Sequence, residues 1–85
     1  MPTFNSRPDR LQQIFARNLR EVRRTLGISQ VDLALRTDIA RPYISDIECG
    51  KVSPTLNLVD RFAAALGVEP FILLMPENPL QKNTA

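Results

Sequence analysis

The sequence predicts an all-α fold of five short helices, and three observations predict it. Apolar residues recur at spacings of three and four in separate segments, and no stretch alternates apolar and polar residues as a half-buried strand would. Gly27, Gly50 and Gly67, with nearby prolines and Ser/Thr residues, punctuate those segments where helices stop and restart. At 85 residues with 44% hydrophobic composition, the chain is one small domain that is ordered over most of its length. A domain of this size buries only about 60% of its unfolded surface, so its own core confers modest stability.

The first helix runs from "SRPD" to Gly27. Leu11, Ile14, Phe15, Leu19, Val22 and Leu26 form its apolar stripe, with Ser6 as N-cap and Pro8 and Asp9 in the first turn. "ISQVDLALRT" starts a second helix over about 30–36, capped by Ser29 with Asp32 three residues on; Leu33 and Ala34 face inward. Thr37 and Asp38 then suit a turn, Asp tolerating the left-handed region better than most residues.

The third helix carries a proline near its front, which inside a helix costs about 3 kcal/mol or more. In a first turn the backbone N–H has no intrahelical acceptor, so Pro42 marks a start at Arg41 or Pro42. The helix ends at about Glu48, with Gly50 as cap. Thr55 caps a fourth helix with a stripe of Leu58, Val59, Phe62, Ala63 and Leu66, stopped by Gly67. "VEPFILLMP" gives a short fifth helix, started by Pro70 and stopped before Pro76. Residues 1–7 read as an N-terminal arm, 8–75 as the domain and 76–85 as a flexible polar tail.

Composition removes several function classes. Cys49 is the only cysteine and there is no histidine, so neither an intramolecular disulfide nor a His/Cys zinc site can form. With no histidine base, no Gly-rich phosphate loop and no carboxylate pair in an evident cleft, the chain is not read as an enzyme. No metal, cofactor or small-molecule ligand is expected. The start lacks the apolar core of a signal peptide, and the runs "FAAAL" and "FILLM" fall short of the ~18 residues of a membrane span, so a soluble, cytoplasmic protein is expected.

Net charge is only +2, but residues 1–26 hold six arginines against two acids. That excess is either a solvated helix face or one edge of an anion-binding surface.

The ordered set "GISQ", Ala34, "YISDIECGK", "PTL" and "ALGV" resembles the Cro and phage-repressor type of helix-turn-helix domain, the XRE family. The resemblance covers about residues 11–75 and implies a lambda-repressor-like domain with its helix-turn-helix at helices 2 and 3. It implies double-stranded DNA as partner, with helix 3 in the major groove. Gln30 then matches a phosphate-bonding glutamine that braces the recognition helix. Arg41 matches the first base-reading position, where it bonds guanine or else only phosphate.

Pro42 replaces the usual serine, threonine or glutamine and can read only shape or a thymine methyl. Tyr43, common in the related restriction-modification controller proteins, either lies along the groove wall or caps the small core. Asp46 either accepts from a cytosine amino group or points away, and Ser45 is a secondary candidate. Lys51, Thr55 and Asn57 match a second phosphate clamp. Glu48 and Arg23 match a structural ion pair between helix 1 and the end of helix 3.

Other positions depart from the family pattern. Cys49 stands where relatives carry arginine or asparagine and is read as incidental. Asp38 replaces a turn glycine at some cost in stability. Val31 and Leu35 form an apolar pair on helix 2, either exposed or covered by the arm around Phe4.

The function expected is a sequence-specific transcriptional regulator acting as a homodimer on a near-palindrome. Phe71, Ile72, Leu74 and Met75 would supply the dimer surface, because they exceed what a short terminal helix can bury. The alternative is an antitoxin or other protein-binding module of the same fold. It is disfavoured by the short stretch, 76–85, that follows the domain.

Overall fold

The computed structural model describes residues 9–76. They form four α-helices, α1 (Arg10–Thr25), α2 (Gln30–Thr37), α3 (Arg41–Glu48) and α4 (Leu56–Leu66), followed by a 3-10 turn at Pro70–Leu74. Helix α1 packs on α3, α4 and the 3-10 turn, while α2 packs on α3 and α4. Phe15, Leu19, Val22, Leu33, Ile44, Ile47, Phe62 and Leu73 fill the space between them, each 2% exposed or less. The Phe15 and Phe62 rings meet at 6.0 Å with a 47° tilt, so the two longer helices share the centre of the core.

The helix ends follow local chemistry. Ser29 Oγ accepts from the Asp32 N–H at 2.9 Å, and Thr55 Oγ1 accepts from the Leu58 N–H at 3.1 Å. Helices α1, α3 and α4 all close with the same pair of backbone bonds around a positive-φ glycine, at Gly27, Gly50 and Gly67. At Gly50 two constraints coincide. Its φ is +75°, and a Cβ there would lie 2.5 Å from the Gln13 side-chain amide. The amides of Gln12 and Gln13 donate to the Gly50 carbonyl at 2.9 and 3.2 Å, fastening the end of α3 to the start of α1.

Helix α2 closes differently. Asp38 takes the left-handed conformation, φ 60°, and its N–H donates to Ala34 O at 2.8 Å. Thr37 turns its hydroxyl back onto Leu33 O at 2.7 Å and is 3% exposed, which leaves a compact turn into α3.

Three expectations are corrected. The fifth helix is a single 3-10 turn, because Pro70 and Pro76 bound a segment too short for an i→i+4 ladder; the Ile72 N–H reaches Glu69 O at 3.0 Å instead. Helix α1 begins at Arg10 with Asp9 at the N-cap position, not within the first turn. Its stripe is also shorter than expected, since Leu11 and Leu26, in the terminal turns, are 52% and 43% exposed. The expected cap Ser6, Pro8, the arm with Phe4 and the tail after Pro76 lie outside the described residues.

Arginines lace the helix ends together. The last carbonyls of a helix have no intrahelical donor, and in α2, α3 and α4 one of them is met by an arginine from another element. Arg61 of α4 donates to Thr37 O at 3.4 Å and Arg36 of α2 to Ala65 O at 3.3 Å, so these two helices exchange arginines. Arg20 of α1 donates to Glu48 O at 2.8 Å, closing α3. Arg17 reaches the carbonyls of Met75 and Pro76. Arg17 and Arg20 of the N-terminal third therefore serve the scaffold, a role that lies outside both readings of that basic excess, a solvated face or an anion-binding edge.

Candidate nucleic-acid interface

Helix α3 buries Ile44, Ile47 and Glu48 and exposes Arg41, Pro42 and Tyr43 at its tip. Pro42 sits in the first turn, where its missing N–H breaks no helical bond. Tyr43 keeps 37% of its surface exposed, so part of the residue rests on the fold and part faces outward. Ser45 and Asp46 are half-buried, and Cys49 is exposed at the C-cap.

A polar network fixes this helix to the other two. Glu48 is 3% exposed, and its carboxylate accepts from Arg23 Nε at 2.7 Å and Arg23 Nη2 at 2.8 Å. The same Oε1 accepts from Gln30 Nε2 at 3.0 Å. Arg23 spends its remaining reach on Ile28 O, 3.0 Å away, just before α2. One carboxylate thus joins α1, α2 and α3, and the ion pair expected between Arg23 and Glu48 is present.

Gln30 is the first residue of α2 and half-buried, its amide turned toward Glu48. Lys51 follows the α3 cap, its N–H bonded to Asp46 O at 2.9 Å and its side chain exposed. Thr55 and Asn57 belong to a different helix, at the start of α4; both are exposed, and the Thr55 oxygen is already the cap acceptor, so its hydroxyl proton is what remains for an anion. The side chains of Arg41 and Lys51 hold no hydrogen bond or ion pair among the described residues. These two cations are therefore available to an external partner, unlike Arg17, Arg20 and Arg23.

The expected dimer residues lie at the far end of the chain. Phe71 is 59% exposed, while Ile72, Leu74 and Met75 are half-buried. Leu74 also lines a groove of about 170 Å³ with Leu11, Phe15, Pro54, Leu56 and Val59. Leu56 is 82% exposed; the sequence reading missed it because it stands outside the α4 stripe.

Asn18 was missed as well. It is fully buried in α1 and donates to Leu73 O at 3.1 Å and Met75 O at 2.7 Å, holding the 3-10 turn in place. Its signal was a polar residue three after Phe15 and four before Val22, inside an apolar stripe.

Val31 and Leu35 are 55% and 77% exposed on α2. No helix among the described residues is long and apolar enough to cross a membrane.

The comparisons agree with this geometry. Residues 19–73 match the helix-turn-helix family model HTH_3. The chain is 37% identical over 65 residues to the control protein C.BamHI of Bacillus amyloliquefaciens, covering 75% of this chain and 80% of that protein. The crystal structure of a hypothetical transcription factor, NHTF, from Neisseria superposes with a TM-score of 0.77 at 32% identity, covering 93% of this chain and 91% of that one. The restriction-modification controller protein C.AhdI of Aeromonas hydrophila gives a TM-score of 0.70 at 34% identity over 73% of this chain and 94% of its own. With α2 and α3 joined through the Asp38 turn as the helix-turn-helix, the chain belongs to the HTH_3 helix-turn-helix family.

Proposed function

We propose that this helix-turn-helix regulator acts as a homodimer that reads a near-palindromic operator in the major groove, in the manner of a controller protein. The observation that carries the reading is α3 itself. Three of its residues are locked into the core and its exposed tip carries Arg41, a cation without a partner among the described residues. Arginine at such a tip suits guanine O6 and N7, a contact worth about 1–3 kcal/mol of discrimination.

Gln30 at the start of α2, Lys51, and Thr55 and Asn57 at the start of α4 are assigned to phosphates, with Tyr43 as a groove-wall contact and Ser45 as a secondary one. Phe71, with Ile72, Leu74 and Met75 beside it, is assigned to the contact between two copies. A single module offers few contacts, whereas two recognition helices one duplex turn apart read both halves of a palindrome.

The test is selection of bound duplexes from a random library at moderate salt. Enrichment of an inverted repeat with half-sites about one helical turn apart supports the reading. Salt-sensitive binding with no enriched motif refutes it.

A further inference from the structure

The exposed face of α3 has an unusual chemistry. An α-helix turns about 100° per residue. Ile44, Ile47 and Glu48 are buried, and the direction opposite their mean falls on Pro42, Asp46 and Cys49, which lie within about 60° of one another. Arg41 and Ser45 flank this stripe on one side and Tyr43 on the other.

The stripe carries no strong donor. Pro42 has no N–H, an ionised Asp46 only accepts, and a thiol is a weak donor. The Asp46 carboxylate holds no hydrogen bond or ion pair among the described residues. Among the described residues no basic side chain neutralises it there, although it stands on the face assigned to a polyanion.

An unpaired carboxylate on that face raises the energy of every complex in which it meets phosphate or an acceptor edge. Guanine N7 and O6, thymine O4 and adenine N7 are all acceptors. The donors in the major groove are the amino groups of cytosine and adenine. In adenine the amino group stands beside N7, which repels a carboxylate; in cytosine it has no neighbouring acceptor on the same base.

We propose that Asp46 determines specificity in each half-site by accepting a hydrogen bond from a cytosine amino group, with Pro42 packed on a thymine methyl nearby. This rests on the DNA-reading function proposed above. Four residues of helix rise about 6 Å, which spans roughly two base steps of 3.4 Å along a strand. The preferred half-site therefore places cytosine within about two steps of a thymine, with guanine toward Arg41.

The experiment uses the full chain and the duplex it enriches from a random library, with anisotropy titrations against four versions of that duplex differing at the assigned base pair. The wild type is expected to favour cytosine by about tenfold or more. Asp46→Ala is expected to bind all four within about twofold. Asp46→Asn is expected to shift the preference toward adenine, whose N6 and N7 match an amide. Unfolding midpoints close to wild type check that both variants fold.

A cytosine preference that survives in Asp46→Ala overturns the proposal, as does a wild type indifferent to this base pair while still discriminating elsewhere; either result leaves the DNA-reading function standing. A wild type that enriches no sequence at all overturns both.

Discussion

Gln30 and Glu48, 18 residues apart in sequence, meet at 3.0 Å, with the glutamine amide as donor. A carboxylate accepts only, so Glu48 fixes which end of the Gln30 amide faces inward. On the DNA-binding reading proposed above, a phosphate, also an acceptor, would be reached by the second amide hydrogen or by a backbone N–H at the start of α2. Gln30→Ala is expected to lower stability by about 1 kcal/mol and to weaken binding of all duplexes alike. Gln30→Glu sets like charges against each other and is expected to cost about 2–4 kcal/mol, less where water screens the pair. Urea unfolding of the two variants measures the contrast.

Glu48→Ala removes one partner of a buried pair and strands Arg23. The expected loss is about 3–5 kcal/mol. A double variant, Arg23→Met with Glu48→Leu, is expected to recover much of it, because no unpaired charge remains. Urea midpoints for the single and double variants test this, and equal losses in both would contradict it.

Asn18→Ala removes the side-chain donor of the Leu73 carbonyl and leaves the Met75 carbonyl with only the longer bond from Arg17. A stability loss of about 2–3 kcal/mol is expected. Amide exchange within residues 70–75 should accelerate more than exchange in α2 or α3, because the bonds lost belong to the 3-10 turn.

Phe71→Asp changes a side chain that is 59% exposed, so helical content by circular dichroism is expected to stay as it is. Light scattering is expected to report a monomer. An unchanged dimer would place the contact elsewhere, with the groove bounded by Leu11 and Leu56 as the next surface to alter.

Most of the helical framework was legible because its signals are local. Ser29 and Thr55 announce helix starts, Gly27, Gly50 and Gly67 announce stops, and Pro42 makes sense only in a first turn. The Arg23–Glu48 pair came from the family resemblance, since nothing in local spacing joins residues 25 apart.

What stayed hidden depends on tertiary placement. The targets of Arg17, Arg20, Arg36 and Arg61 are backbone carbonyls on other elements, and no residue pattern records a carbonyl. The apolar run after Pro70 looked helical because its composition suits a helix, whereas the Asn18 bonds to the Leu73 and Met75 carbonyls come from a distant element and leave no local signal.

Helix α3 has eight residues and a proline at its front. An isolated peptide of that length is mostly coil in water, since helices shorter than about 12–15 residues are marginal on their own. Its shape is lent by Arg23 and Gln30, which hold Glu48, by Arg20 at its end and by the Gln12 and Gln13 amides on Gly50. Recognition is therefore a collective property of the whole domain. Warming the protein should abolish operator discrimination at the same temperature at which the core melts, with no intermediate range in which a loosened reader binds indiscriminately.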